Sequence, residues 1–141
     1  MTGFYSDLHH INHVGDMSEH TVNGDMVSTG VKNSFSLSYS TADGTHEWAV
    51  PNGAGGTDVY HGTSIYERIV PNSHGSYHVY DSDMRLKATV SSNPHGGHDV
   101  LHDGTLLESS MPAGYGTFGV LHYGDPLSHL SEYSMSKLVL E

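Results

Sequence analysis

Two Asp-x-x-His motifs contain the residues whose types and spacing could do chemistry. Asp58 and His61 form the first motif, and Asp99 and His102 repeat it 41 residues later. A carboxylate beside an imidazole can accept and donate hydrogen bonds to sugar hydroxyls, so the motifs predict repeated ligand sites. The alternative is that each aspartate binds the backbone of its own loop. Strand geometry favours that alternative, because residues i and i+3 of a strand face opposite sides.

The histidine-rich segments do not have the spacing of a metal site. His98 and His102 would lie on one face of a strand about 13 Å apart, which is too far for one shared ion. The segment 8–13 adds His9, His10 and His13, again without a His-x-His or HExxH pattern. We therefore predict no metal ligand, no cofactor and no catalytic residue, and we expect a protein that is not an enzyme.

Trp48 is the tryptophan of the chain and the aromatic residue best suited to stack on a sugar ring. We include it with Asp58, His61, Asp99 and His102 as the candidate ligand-binding residues. Because Leu and Ile are scarce, the alternative is that the aromatic side chains form the core.

Composition excludes several classes of partner. The 141 residues contain 5 Lys+Arg, 16 Asp+Glu and no Cys, with a formal net charge of −11. A surface of that charge repels phosphate backbones and anionic lipids, so we expect neither nucleic-acid nor membrane binding. No N-terminal signal peptide and no apolar run of membrane-spanning length is found. We expect the protein in the cytoplasm of the producing cell, or incorporated into a virion.

An internal repeat organises the chain. Residues 55–86 align with residues 96–127 without a gap, with ten of 32 positions identical. The unit divides again, because Val59, Val79, Val100 and Val120 are spaced by 20, 21 and 20 residues. Such a period is typical of repeat architectures. We interpret the chain 1–141 as a single all-β repeat domain.

The turn residues of the repeat predict β-hairpins. Asn23-Gly24 and Asp103-Gly104 are strong hairpin signals, because both central residues must adopt positive φ. We predict about six hairpins between residues 18 and 130, followed by a terminal strand at 136–141. Glu67 and Glu108 hold equivalent positions, and we expect them on the exposed side of a second strand.

Two architectures fit these hairpins. Near-uniform spacing favours an open twisted strip or solenoid-like sheet, in which equivalent hairpins follow one another. The 41-residue unit also fits a β-trefoil built from three such units, which is the alternative.

Residues 55–130 resemble a known family of hairpin repeats. The stretches "HGSYHVYDSDMRL" and "YGTFGVLHYGDPL" share a glycine, an aromatic residue and a final leucine. This pattern is similar to the MORN-type repeat, although Met84 and Asp125 or Pro126 stand where that family has glycine. The resemblance implies a twisted hairpin strip used for scaffolding or binding, with no enzymatic activity.

These observations predict a non-enzymatic structural or interaction protein. Its partners would be other protein chains, either copies of itself or components of a virion. The Gly-, Ser-, His- and Tyr-rich, Lys-poor composition is typical of phage tail, fibre or head-decoration proteins. The alternative is a lectin-like carbohydrate-binding module with repeated Asp, His and aromatic sites.

Overall fold

Twelve antiparallel strands follow one another along the chain, each joined to the next by a short connection. The computed structural model describes residues 4–53, 55–72, 75–123 and 130–141. The strands are β1 (Phe4–Val14), β2 (Met17–Val22), β3 (Asp25–Lys32), β4 (Leu37–Thr41), β5 (His46–Pro51), β6 (Thr57–His61), β7 (Ser64–Pro71), β8 (Tyr77–Tyr80), β9 (Leu86–Ser92), β10 (His98–His102), β11 (Thr105–Gly114) and β12 (Thr117–Tyr123).

The hairpin turns follow from local residue chemistry. Asn23 and Gly24 adopt φ of 52° and 90° between β2 and β3, and Asp103 and Gly104 adopt 50° and 79° between β10 and β11. Both predicted Asx-Gly hairpins are therefore present. The second strand of the predicted sixth hairpin falls in residues 124–129, outside the described residues.

The sheet closes into a barrel. Every strand pairs with its neighbours in sequence, and β1 completes the circle by pairing with β12, where Asp7 lies opposite Val120. The predictions of an open strip, a solenoid-like sheet and a β-trefoil are therefore wrong. An open strip would leave the valine face in water and two edge strands unpaired, and closure removes both problems.

The repeated valines line the inside of this barrel. Val59, Val79, Val100 and Val120 are each exposed by at most 2%. In three of the hairpins the strand register shifts directly after this valine, which marks a β-bulge. The residues opposite the valines on the next strand therefore also face inward, and Glu67 lies opposite Val59. The expectation that Glu67 is exposed is wrong.

A short helix fills the centre of the barrel. It consists of α1 (Glu132–Ser134) and a π-helical turn (Met135–Val139), which we call the central helix together. The predicted strand at 136–141 is therefore wrong. Ser131 caps the helix, since its hydroxyl accepts a hydrogen bond from the Ser134 N–H at 3.1 Å. Leu138, Val139 and Leu140 are all buried, because barrel walls surround this segment.

None of the helices in the described part of the chain has the length and apolar character needed to span a membrane.

Candidate functional site

Buried ionisable side chains connect the barrel wall to the central helix. Glu47 on β5 is almost fully buried, and its carboxylate accepts hydrogen bonds from the backbone N–H groups of Glu132 and Tyr133 at 3.2 and 2.8 Å. His61 Nε2 lies 2.7 Å from the same carboxylate. Burial raises the pKa of Glu47, although these hydrogen bonds act in the opposite direction. Glu47 therefore holds the start of the helix against β5.

Glu67 on β7, in the next hairpin, also holds the start of the central helix against the barrel wall. Its carboxylate accepts hydrogen bonds from the Ser131 N–H at 2.8 Å and from the Ser134 hydroxyl at 2.7 Å. The Lys87 ammonium donates to it at 2.7 Å, with the Lys87 side chain only 8% exposed. Three hydrogen-bond donors thus satisfy this buried carboxylate.

Glu132 anchors the other side of the central helix. Its Oε1 lies 2.5 Å from His20 Nδ1 and accepts hydrogen bonds from the Ser28 and Ser136 hydroxyls at 2.7 and 3.2 Å. Burial alone would raise the pKa of Glu132, but the hydrogen bonds from His20, Ser28 and Ser136 outweigh it, and the pKa is lowered. Glu132 is therefore ionised at neutral pH.

Two histidines extend this network towards the barrel wall. His20 Nε2 lies 2.8 Å from His9 Nδ1, and the two rings stack with centroids 5.0 Å apart. Burial, and then the neighbouring His20, lower the pKa of His9 to about 4. His9 is therefore a neutral imidazole at physiological pH. Its Nε2 is buried and has no hydrogen-bond partner among the described residues.

His122 lies between two carboxylates at the same end of the barrel. Its Nδ1 is 2.8 Å from Glu108 Oε2, and its Nε2 is 2.9 Å from Asp7 Oδ2. The hydrogen bond with Glu108 is the main reason that the pKa of His122 is raised. The Asp7 and His122 side chains are 22% and 12% exposed, so solvent reaches this group from one side.

Asp7, His9 and His122 form one cluster, which we call the closure cluster. One ligand atom from each, a carboxylate oxygen or an imidazole nitrogen, lies within 4.8 Å of the other two. Asp7 and His9 are on β1 and His122 is on β12, so the pairing that closes the barrel brings them together. Two imidazoles and a carboxylate are ligands of zinc and related divalent metals.

The first predicted Asp-x-x-His motif is divided between the two sides of the barrel wall. Asp58 accepts hydrogen bonds from Asn52 at 3.1 Å and from Arg68 Nε at 2.8 Å. His61 contacts the inward-facing Glu47 instead. Burial would raise the pKa of Asp58, but the hydrogen bonds from Arg68 and Asn52, and then the charge of Arg68, outweigh it and lower the pKa. These contacts bind neighbouring strands together.

The second motif is divided in the same way. Asp99 accepts hydrogen bonds from Asn93 at 3.1 Å and from the Ser109 hydroxyl at 2.6 Å. His102 Nδ1 lies 2.9 Å from the Lys87 carbonyl oxygen. The aspartate and the histidine of each motif thus have separate partners, and ligand binding by these four residues stays a prediction.

Trp48 lies on the outer surface and is 40% exposed. Its ring is 6.4 Å from the Tyr60 ring, at an angle of 46°. Strand pairing extends this aromatic pair into a cross-strand row, since directly opposite residues share a face. This outer row is formed, in order, by Val14, Met17, Val31, Ser38, Trp48 and Tyr60.

The inward-facing Glu–His pairs were missed by sequence reasoning, although a signal was present. Glu47 and His61 are separated by 14 residues, and so are Glu108 and His122. Each glutamate lies on the second strand of a hairpin. Its histidine lies on the first strand of the next hairpin, two residues after the repeated core valine. Asp7 has no such signal, because only barrel closure places it beside His122.

No known family model matches this chain, and no curated protein matches its sequence. Among solved structures, the chain is similar to the X-ray structure of a protein from Arabidopsis thaliana. The TM-score is 0.64 at 13% sequence identity, covering 85% of this chain and 81% of that one. At this identity the similarity establishes a shared fold and carries no information on activity.

Proposed function

We propose that this chain is a non-enzymatic interaction protein that assembles with a second copy of itself through the outer surface of its barrel. The observation that carries the proposal is the outer row defined above. Val14, Met17 and Trp48 expose 63%, 52% and 40% of their surfaces. These apolar side chains lie outside the barrel and not in its core. Adjacent exposed apolar side chains of this kind are typical of interaction surfaces.

Charge favours a second copy as the occupant of this surface. The chain carries a formal net charge of −11, so most pairs of surfaces on two copies repel each other. None of the six side chains of the outer row is charged, so two copies can meet there without opposing like charges directly. A two-fold symmetric contact needs such a self-complementary patch.

The buried carboxylates support a structural role over catalysis. Glu47, Glu67 and Glu132 all bind the central helix or side chains that support it. They position a structural element, which is a sufficient physical reason for burying charged groups in this barrel.

Light scattering after size-exclusion chromatography tests the proposal. We expect the wild-type protein at about 100 μM to elute as a dimer or larger assembly, and Trp48→Glu to elute as a monomer. Tyr115→Glu is the matched control, because Tyr115 is fully exposed but lies outside the outer row. A wild-type protein that stays monomeric, or equal effects of the two variants, would overturn the proposal.

Membership of a phage virion is the specific form of this assembly that the composition favours. Capsid, portal or tail genes beside the gene for this chain would support it. The surrounding genome sequence and negative-stain images of purified assemblies are the relevant measurements.

Carbohydrate binding is a second candidate because of one observation, the exposed Trp48 beside Tyr60. Aromatic rings on a surface can stack on sugar rings. A glycan array probed with wild type and with Trp48→Ala tests this: binding that requires Trp48 supports the candidate, and an array without binding removes it.

A further inference from the structure

We propose that Asp7, His9 and His122, the closure cluster, bind one divalent transition-metal ion, and that zinc is the metal that suits these ligands best. The inference goes beyond the proposed assembly function and is independent of it. It depends on the geometry of two strands that meet only where the barrel closes.

His9 has a buried ring nitrogen that no described residue hydrogen-bonds. His9 is only 5% exposed, yet its Nε2 has no hydrogen-bond partner among the described residues. A buried polar atom normally has a partner, because leaving it without one costs about 1–3 kcal/mol. His9 contributes one ring nitrogen to the cluster with Asp7 and His122, and because Nδ1 contacts His20 at 2.8 Å, we assign this role to Nε2. A bound cation would satisfy it.

The hydrogen bonds from Glu132 through His20 define the tautomer of His9. Glu132 accepts from Nδ1–H of His20, so in neutral His20 the Nε2 atom is an acceptor. His9 must then donate its Nδ1–H to that atom at 2.8 Å. With His20 neutral, the proton of His9 is therefore on Nδ1, and Nε2 presents a lone pair, which is the state that a metal ligand requires.

His122 also has one ring nitrogen held by a neighbour and the other facing the cluster. In the neutral ring Nδ1–H donates to Glu108, and the lone pair of Nε2 is directed at Asp7 Oδ2, 2.9 Å away. Two acceptors that close to each other need a cation between them, either a proton on His122 or a metal ion. The hydrogen bond to Glu108 fixes the ring in the orientation in which Nε2 faces the cluster.

Each of the two histidines is thus oriented by a carboxylate on the side of the ring that faces away from the cluster. Glu108 binds His122 directly, and Glu132 acts on His9 through His20. Metal-binding histidines are commonly oriented by such carboxylate partners, which raise the basicity of the ligand nitrogen. The described residues therefore provide three ligands and the groups that orient two of them.

The dimensions suit zinc after a small adjustment. Zinc ligands at about 2.0–2.1 Å in a tetrahedral site are about 3.3 Å from one another. The three ligand atoms here lie within 4.8 Å of each other, so side-chain shifts of about 1 Å bring them to that separation. The partial exposure of Asp7 leaves one side open for entry and for a fourth ligand such as water.

Zinc titration of the chelator-stripped protein in competition with a chromogenic chelator is the experiment. At about pH 7.5 we expect one equivalent to bind with a Kd below about 1 μM. Asp7→Asn, His9→Gln and His122→Ala should each weaken binding at least about tenfold, and Glu108→Gln by about tenfold through the orientation of His122. Cobalt substitution should give the intense visible absorption of a four-coordinate site.

His13→Ala is the matched control, because His13 is an exposed histidine on the same strand as His9. Circular dichroism checks the fold of each variant. If a variant of a buried histidine unfolds, Asp7→Asn still tests the site, because Asp7 is partly exposed. Absence of wild-type zinc binding would show that the closure cluster is not a zinc site. Equal binding by wild type and Asp7→Asn would place the zinc elsewhere. Either result overturns the proposal.

Discussion

The Lys87 ammonium donates a hydrogen bond of 2.7 Å to the fully buried carboxylate of Glu67. The pair joins β9 to β7, and the same carboxylate also binds the start of the central helix through Ser131 and Ser134. The Lys87 ammonium further lies 4.3 Å from the centre of the Tyr66 ring. One ion pair inside the barrel thus connects the wall to the element that fills it.

Lys87→Met should lower the free energy of unfolding by about 3–5 kcal/mol, because it leaves Glu67 as a buried charge without its cation. Urea denaturation followed by tryptophan fluorescence measures this. Lys137→Met is the control, since Lys137 forms a partly exposed pair with Glu141 and should change stability by less than about 1 kcal/mol. Similar losses in the two variants would contradict a special role for the buried pair.

Gly97→Ala should destabilise the protein by about 2 kcal/mol or more, because an added Cβ would lie 1.9 Å from the Ser110 carbonyl oxygen. Gly56, its equivalent in the repeat, has the Ile69 carbonyl oxygen at 2.1 Å and should behave alike. Gly119→Ala meets no atom within 4 Å and provides the comparison. Thermal unfolding gives the ranking, and an unchanged melting temperature for Gly97→Ala would exclude this steric explanation.

Leu138→Ala should cost about 2–5 kcal/mol, because Leu138 lies on the central helix inside the barrel and its removal leaves a cavity. Leu86→Ala makes the same chemical change at a position that is 41% exposed, where we expect about 1 kcal/mol or less. Chemical denaturation of both variants separates the two sites. Equal losses would mean that the helix does not stabilise the barrel from within.

Asp58→Asn should lower stability at neutral pH by about 1 kcal/mol and have little effect in acid. The folded-state pKa of Asp58 lies below its ordinary value, so its contribution is present above about pH 4 and is lost as the pH falls through the folded-state pKa. Urea midpoints at neutral pH and at about pH 3 test this. Arg68→Met removes the partner and should show the same pH profile; a loss that persists unchanged in acid would disprove the assignment.

Much of the local structure was predictable from neighbouring residues. Asn23-Gly24 and Asp103-Gly104 specify their turns because few other residue pairs adopt positive φ twice in succession. The 20–21-residue spacing of the valines identified residues that prove to be core. Residues 136–141 misled the prediction because a short run of apolar residues, here 138–140, suits a buried strand and a buried helix equally well.

The arrangement of the candidate site depends on contacts that local pattern does not encode. Glu67 was predicted to be exposed because a β-bulge, which shifts the alternation by one residue, has no clear sequence signal. His9 belonged to a recognised histidine cluster, but its partners proved to be His20 and the closure cluster, not His10 and His13.

Residue chemistry over short distances was thus enough to determine that the chain forms antiparallel hairpins with one valine-lined face. Whether those hairpins form an open sheet or a closed barrel depends on covering that face and pairing the last edges, which is a property of the whole chain. The meeting of Asp7 with His122, and the position of the central helix between Glu47 and Glu67, were decided only when β1 paired with β12 and the C-terminal segment entered the barrel.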